Sequence, residues 1–285
     1  MIRFGPAAAP RWFNQDLERF REYIELIAGA GGTAIEFVAL PGAGSDELGR
    51  VHLLQPIARE AIANAHAADF HVNLHNPLTA EFRIVEWASD RATYQSRFAP
   101  MFDLIDAAEA GQDKSPVLVI HAAADHPEAT AAYLEWLSGE LDKRGSHARL
   151  SLELRTMDGP DDRRFDRSLE LLTSFLTALE LRRAGMCWDV AHDWESGGRI
   201  TPLSPQALRW INHVHIHDSR TDGIVHAPLD AGSVPWREAV ATLRDVGWQG
   251  SITLEIRYRY AAELGEPWNV LEASLRSFQS VLAGE

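Results

Sequence analysis

Short aliphatic runs alternate with longer amphipathic segments along the chain. The predicted strands lie within residues 2–5, 33–40, 70–75, 117–121, 148–154, 186–190, 211–220 and 251–256. The predicted helices lie within residues 13–28, 53–68, 92–110, 127–144, 167–183, 205–209, 235–246 and 268–282. In the first helix, for example, Phe20, Ile24 and Ile27 share one face. Regular alternation of this kind predicts βα units and a parallel sheet.

Eight such units follow one another without a linker, a charge block or a low-complexity tract. This series predicts an α/β fold, a single (β/α)8 TIM barrel over residues 1–285. An open doubly wound sheet is the alternative, but no Gly-x-Gly-x-x-Gly turn follows the first strand to support it. In such a barrel, active-site residues lie at the carboxyl ends of the strands.

The composition of the chain limits which cellular compartment and which partners we expect. The chain has 27 Lys and Arg against 41 Asp and Glu, and its net charge of −14 disfavours non-specific binding to nucleic-acid phosphates. Its single cysteine, Cys187, excludes an intrachain disulfide and fits a reducing compartment. No signal-like segment or long apolar stretch is evident. We therefore expect a cytoplasmic protein with no membrane partner, and a homo-oligomer remains open.

Residues 211–220 carry histidines at odd positions and aliphatic residues at even positions. As a strand, this stretch directs His213, His215 and His217 to one face and Val214 and Ile216 to the other. A solvated strand face would favour other residue types, whereas converging imidazoles are what a transition-metal site needs. Each histidine alone can equally be a hydrogen-bonded core residue. The ends of the other strands decide between these interpretations.

Metal-binding residue types recur at the carboxyl ends of six predicted strands. They are His75, His121, Glu153, Asp189 with His192, His215 with His217, and Glu255. A carboxylate inside an aliphatic run, such as Glu153 or Glu255, is costly to bury unless it is paired or bound to a cation. One such residue can be a structural ion pair, but six adjacent strands ending in this way predict a metal centre.

Four of these residues come from consecutive strands and can meet at one point. They are Glu153, Asp189, His215 and Glu255. An oxygen-rich set with one imidazole suits a divalent metal ion (Mn2+, Zn2+, Co2+ or Mg2+) and leaves positions open for substrate. Further candidates for metal or substrate binding are His75, His121, His192, His226, His217 and Glu36. A second metal held by imidazoles would preferably be Zn2+, and a structural role for Glu36 is an equal alternative.

Taken in chain order, the motifs around these residues resemble those of the xylose isomerase-like barrel superfamily. This superfamily includes sugar isomerases and epimerases and the endonuclease IV family of apurinic-site nucleases. The motifs that carry the resemblance are Leu74-His75-Asn76-Pro77, Val119-Ile120-His121, Leu152-Glu153-Leu154, Cys187-Trp188-Asp189-Val190-Ala191-His192, His215-Ile216-His217-Asp218-Ser219-Arg220, His226-Ala227-Pro228-Leu229-Asp230-Ala231-Gly232 and Leu254-Glu255-Ile256. Each motif is short, but the ordered series covers nearly the whole chain.

The epimerase branch implies a metal-dependent isomerase or epimerase that acts on a small-molecule sugar or sugar phosphate. Glu153 and Glu255 would be catalytic, one removing a proton next to a carbonyl and the other returning it, through a metal-stabilised enediolate. His192 and Arg220 would hold substrate oxygens. Glu153 and Glu255 would also hold the metal, together with the aspartate and histidine of the same set.

The nuclease branch implies the alternative, an endonuclease IV-like zinc phosphodiesterase with three zinc ions. The residues in its ligand order are His75, His121, Glu153, Asp189, His192, His215, His226 and Glu255. The chain departs from that branch at Ile224, where the family has an aspartate, and at Ala122 and Ala123, where it has Pro-Gly. With the acidic balance, these departures favour a sugar over nucleic acid. A barrel that serves only as a binding scaffold is the non-enzyme alternative.

Overall fold

The computed structural model describes residues 1–8, 12–13, 16–40, 53–77, 83–123, 125–155, 164–197, 200 and 202–285. The strands are β1 (Arg3–Ala8), β2 (Ala34–Leu40), β3 (Leu53–Leu54), β4 (His71–His75), β5 (Val117–Ile120), β6 (Arg149–Glu153), β7 (Ala184–Asp189), β8 (Ile211–Ile216) and β9 (Ser251–Leu254). The helices are α1 (Leu17–Gly29), α2 (Gln55–Ala67), α3 (Ile84–Ser89), α4 (Arg91–Ala110), α5 (Pro127–Lys143), α6 (Leu169–Leu179), α7 (Val190–Gly197), α8 (Pro205–Trp210), α9 (Trp236–Asp245), α10 (Tyr258–Leu264) and α11 (Pro267–Ala283).

Eight strands close into a ring in the order β1, β2, β4, β5, β6, β7, β8 and β9, and β9 pairs with β1. The two-residue strand β3 pairs with the carboxyl end of β2, outside this ring. Every pairing is parallel, and at least one helix follows each barrel strand. The predicted (β/α)8 TIM barrel is therefore confirmed, and the open doubly wound sheet is wrong because the sheet closes.

Three helices were not predicted from the pattern, namely α3, α7 and α10. The sequence also predicted strand up to residue 190, whereas β7 ends at Asp189 and α7 begins at Val190. The side chain of Asp189 accepts a hydrogen bond of 2.9 Å from the backbone N–H of His192. This bond satisfies a donor in the first turn of α7, so a metal-ligand candidate also stabilises the start of a helix.

The helices bury apolar faces against the barrel. In α1, the side chain of Asp16 accepts from the backbone N–H groups of Glu18 and Arg19, and the buried residues are Phe20, Tyr23, Ile24 and Ile27. The amino-terminal segment is fastened to the last helix, because the indole N–H of Trp268 donates to the carbonyl oxygen of Trp12 at 3.1 Å. No described helix is long and apolar enough to cross a membrane.

A β-bulge changes the register between β7 and β8. The pairs around it are Met186 with Ile211, Cys187 with His213 and Asp189 with His215. The extra residue is Asn212, whose amide donates to the carbonyl oxygen of Leu150 at 3.1 Å and accepts from the hydroxyl of Ser151 at 2.6 Å. Gly185 makes room, since a Cβ atom there would lie 2.3 Å from Nδ2 of Asn212. Beyond the bulge, the histidines of β8 pair with the lumen-facing residues of β7.

Candidate metal centre

The carboxyl ends of β6 to β9 bring four predicted ligands together. Glu153 ends β6, Asp189 ends β7, His215 lies in β8, and Glu255 directly follows β9. One possible ligand atom from each of the four lies within 4.8 Å of the others. Three of these side chains are buried, and that of Glu255 is only 14% exposed. The predicted set thus forms one cluster, and its binding of a metal stays a prediction.

Two buried atoms of this cluster have no hydrogen-bond partner among the residues that the structure describes: Oδ2 of Asp189 and Nδ1 of His215. Oδ2 lies 3.5 Å from Nε2 of His217, and Nδ1 lies 3.5 Å from Oε2 of Glu255. An unsatisfied buried polar atom costs about 1–3 kcal/mol. A cation bound among the carboxylates would satisfy both atoms, so these residues fit a divalent metal.

The carboxylates of the cluster are held in their ionised form. Burial alone would raise the pKa of Glu153, but the charge of His121 and hydrogen bonds from His121 and His75 bring it well below its usual value. For Glu255, burial again opposes ionisation, and the charge of His215 lowers the pKa to about 2. Ionised carboxylates are the form that binds hard divalent cations.

A second group of possible ligands lies beside the cluster and shares Glu153 with it. Oε2 of Glu153 lies 3.2 Å from Nε2 of His75 and 2.8 Å from Nε2 of His121. Nδ1 of His75 lies 2.8 Å from the carbonyl oxygen of Asn76, which can only accept a hydrogen bond. A neutral His75 would therefore direct the lone pair of Nε2 at the carboxylate. The lone pair and the negative carboxylate repel each other, and a proton or a metal ion between them removes this repulsion.

Three more histidines converge on the other side of Asp189: His192, His217 and His226. Their ring centroids are 4.1–5.7 Å apart. The backbone N–H of His226 donates to Nδ1 of His217 at 3.0 Å, and the carbonyl oxygen of Asp218 lies 3.2 Å from the same atom. With Nδ1 as the acceptor in the shorter contact, the ring proton of neutral His217 is on Nε2, facing Asp189. His226 itself has a left-handed backbone with φ of 57°. Nε2 of His192 and Nε2 of His217 lie 3.8 and 3.5 Å from Oδ2 of Asp189, and Nδ1 of His226 lies 3.4 Å from Oε2 of Glu255, so these histidines border two of the four predicted ligands.

Glu195 is a site residue that the sequence interpretation missed. Its Oε2 atom lies 3.2 Å from Nδ1 of His192, and its Oε1 atom accepts from the hydroxyl of Ser219. It therefore connects α7 to the loop that follows β8. The sequence feature that could have revealed Glu195 is its spacing of three residues from His192, because this spacing places the two side chains on one face of a helix. It could not be used because residues 191–197 were predicted as a loop.

The loop after β8 is held by Asp218. Its Oδ1 atom accepts from the backbone N–H groups of Ser219 at 2.9 Å and Val234 at 3.0 Å, and its Oδ2 atom accepts from that of Gly232 at 2.8 Å. The side chain is buried. Asp218 thus fixes both ends of residues 218–234, the segment that carries His226 to the site.

Two further predicted residues lie outside the cluster. Arg220 is paired with Asp222 at 2.6 Å and with Glu263 at 3.3 Å, at the rim. Glu36 is fully buried in β2. It pairs with Asn73, two positions before the pair formed by Val38 and His75, and so lies one layer closer to the amino ends of the strands. Neither residue belongs to the four-ligand cluster, and substrate binding by either stays a prediction.

Comparisons with known proteins agree with this architecture. A model of the xylose isomerase-like TIM barrel family matches residues 24–281. No curated protein sequence matches the chain. Among solved structures, a D-psicose 3-epimerase with D-tagatose from Clostridium cellulolyticum H10 has a TM-score of 0.68 and 14% identity, over 99% of this chain and 98% of that chain.

Two other similar structures are also named as epimerases. An L-ribulose 3-epimerase has a TM-score of 0.69 and 13% identity, over 100% of this chain and 95% of that chain. A 3-keto-D-glucoside 4-epimerase from E. coli has a TM-score of 0.64 and 16% identity, over 97% of this chain and 100% of that chain. At such low identity, the likeness shows the fold alone. Because the family model covers most of the sequence, the chain belongs to the xylose isomerase-like TIM barrel family.

Proposed function

We propose that this chain is a metal-dependent sugar or sugar-phosphate isomerase or epimerase. The observation that carries the proposal is the convergence of Glu153 and Glu255, from β6 and β9, on one cluster with Asp189 and His215. Two carboxylates held by different strands can approach a bound substrate from different sides. The named activities of the similar epimerase structures support this choice of substrate class.

The four clustered residues would hold a divalent cation, which when bound makes the hydrogen next to a substrate carbonyl more acidic. Of the two glutamates, one would remove this proton from carbon and the other would return a proton to the opposite face. The lowered pKa values of Glu153 and Glu255 keep both carboxylates ionised at neutral pH, so either can act as the base. The glutamate that returns a proton would first have to take one up from solvent, and this is how deuterium from D2O would enter the sugar. To hold a substrate oxygen, Arg220 would have to exchange one of its two carboxylate partners for the substrate.

The test is proton exchange with solvent by the variants Glu153→Gln and Glu255→Gln. We expect the unsubstituted protein with Mn2+ or Co2+ to incorporate deuterium from D2O into at least one member of a panel of ketoses and sugar phosphates. Each variant should lose about 10²-fold or more of this rate, because a positioned acid or base contributes about that much. Proton NMR or mass spectrometry of the sugar measures the exchange.

The matched control is Glu238→Gln, which makes the same change at an exposed position of α9. Its exchange rate should equal that of the unsubstituted protein. Exchange at the unsubstituted rate by either active-site variant would contradict the proton-transfer roles. Absence of exchange with every sugar, in protein that contains metal, would contradict the proposed class of reaction.

One alternative is retained, a zinc phosphodiesterase of the endonuclease IV type, because His75, His121 and Glu153 form a second group of possible ligands. A metal count on protein purified without added metal separates the two functions. One ion per chain favours the isomerase. Two or three ions, together with cleavage of an abasic-site oligonucleotide, favour the phosphodiesterase. The net charge of −14 opposes DNA binding and is one reason for our order of preference.

A further inference from the structure

Glu36 is a fully buried carboxylate that the proposed proton transfer does not use. Its Oε2 atom accepts hydrogen bonds from Nε2 of His215 at 3.1 Å and from the hydroxyl of Thr253 at 3.1 Å, and it lies 2.7 Å from Nε2 of His213. Nε2 of His213 also lies 3.1 Å from Oγ1 of Thr253. A buried carboxylate is strongly destabilising unless several donors surround it. Three polar groups from β8 and β9 surround this one oxygen, whereas Oε1 has no hydrogen-bond partner among the described residues, so the interactions of Glu36 are concentrated on the side that faces His215.

The contact with Glu36 determines which nitrogen of His215 carries the ring proton. An ionised carboxylate can only accept hydrogen bonds, so Nε2 of His215 must be the donor. In the neutral imidazole, Nδ1 then has a free lone pair. This atom lies 3.5 Å from Oε2 of Glu255 and has no hydrogen-bond partner among the described residues. A lone pair directed into the cluster is what a metal ligand requires.

His217 lies on the same face, two residues further along, and shows the opposite arrangement. Its Nδ1 atom has two contacts, 3.0 Å to the backbone N–H of His226 and 3.2 Å to the carbonyl oxygen of Asp218. With the shorter contact as a hydrogen bond to Nδ1, the proton of the neutral ring is on Nε2. That protonated nitrogen faces Oδ2 of Asp189 at 3.5 Å and cannot bind a metal in this form. The two imidazoles therefore differ because of the group behind each ring. Behind His215, that group is Glu36.

We propose that Glu36 is the positioning residue of the candidate metal centre. It holds the proton of His215 on Nε2, orients the ring, and presents Nδ1 to a divalent cation. A carboxylate behind a metal-binding imidazole also raises the basicity of the ligating nitrogen. This role of Glu36 deepens the proposed function and rests on one part of it, namely that the four-residue cluster binds a cation. His213 and Thr253 contact the same carboxylate oxygen as His215 and so help to hold it in place.

The test is the affinity of metal-free protein for Co2+ in the variants Glu36→Gln and Glu36→Asp. Glu36→Gln keeps the volume of the side chain and removes its charge, and we expect Co2+ to bind about 10–100-fold more weakly. The visible absorption spectrum of bound Co2+, which reports its ligands, should change as well. Glu36→Asp keeps the charge and should recover part of the affinity. Calorimetric titration and absorbance measure both effects without any sugar.

The matched control is Tyr133→Phe, which removes a buried hydrogen bond of 2.9 Å with Tyr94 between α5 and α4. It should lower Tm and leave the Co2+ affinity unchanged. A folded Glu36→Gln variant with affinity within twofold of the unsubstituted protein would overturn the proposal. If that variant does not fold, 15N NMR of the metal-free unsubstituted protein decides, with His215 assigned by comparison with His215→Gln.

That NMR measurement is made at a pH where His215 is neutral. Burial opposes protonation of His215, but nearby negative charges raise its pKa well above the usual value, so this pH lies above the ordinary range for a histidine. A proton on Nε2 of the neutral ring supports the proposal, and a proton on Nδ1 overturns it. Failure of the proposed function has a different signature. A protein that binds Co2+ through His215 but exchanges no sugar proton would contradict the isomerase and support the role of Glu36. A protein that binds no divalent metal would overturn both.

Discussion

At the residue scale, hydrogen-bond partners distinguish histidines that look equivalent in the sequence. Alternation in β8 predicted that His213, His215 and His217 share a face, and all three are buried. It could not predict their different roles, because these depend on residues far away along the chain. The contact between Glu36 and His215, for example, joins positions 179 residues apart. Local pattern gives the direction of a side chain, and tertiary contacts give its protonation.

Asp218 allows a prediction at this scale. Asp218→Ala should lower the free energy of unfolding by about 3 kcal/mol, because three backbone N–H groups lose a charged, buried acceptor. Asp222→Ala is the control, since Asp222 lies in the same loop with an exposed side chain, and its loss should cost under about 1 kcal/mol. Urea denaturation measures both values. Equal losses would show that Asp218 does not hold the loop.

At the scale of elements, the sequence predicted the eight barrel strands because each is a short apolar run next to an amphipathic helix. The change from β7 to α7 escaped prediction for a physical reason. It occurs inside the run Trp188-Asp189-Val190-Ala191, where residues on both sides of the boundary are buried. When every position is buried, neither a period of two nor one of 3.6 is visible. Glu195 was missed as a consequence.

The packing of β1 against β2 gives a prediction for an element. A Cβ atom on Gly5 would lie 1.7 Å from the carbonyl oxygen of Ala34, a backbone atom that can move only if the strands separate. Gly5→Ala should therefore destabilise the protein by about 3 kcal/mol or more. Gly139→Ala, within α5, meets nothing within 4 Å and should be neutral or stabilise by up to about 1 kcal/mol. Thermal unfolding of the two variants distinguishes these outcomes, and a Gly5→Ala protein as stable as its parent would be inconsistent with this packing.

At the scale of the whole molecule, closure of the barrel brings Glu36 and His75 from the first half of the chain next to the four-residue cluster, which comes entirely from the second half. The sequence could predict which residues meet, since parallel strands bring all their carboxyl ends to one side. The sequence could not predict how deep in the barrel each side chain lies. Strand order alone does not give the stagger between neighbouring strands, and this stagger places Glu36 one layer away from His75. The sequence also left the partners of Arg220 open, since these lie at positions 222 and 263.

Metal binding should be visible in the stability of the whole molecule. A ligand that binds only the folded state at about 100 times its Kd stabilises it by about 2.7 kcal/mol. For a chain of this size, we expect addition of Mn2+ or Co2+ to chelator-treated protein to raise Tm by about 5 °C. In Asp189→Asn, which removes one charged ligand, the rise should be much smaller. Differential scanning calorimetry measures both, and an equal rise in the variant would place the metal elsewhere.

The extra residue in β8 has a consequence for exchanging strands between barrels. Because a strand turns its side chains to alternate sides, one inserted residue reverses the phase of everything that follows. In an uninterrupted strand with Ile211 opposite Met186 and Asn212 next in line, His213 would pair with Trp188, and the imidazoles would turn toward the surrounding helices. A graft of the whole of β8 therefore needs the small residue at position 185 and the acceptor at position 150, which accommodate Asn212 in the bulge. The transferable unit of this site is therefore the bulged pair of strands, and the histidines alone are not sufficient.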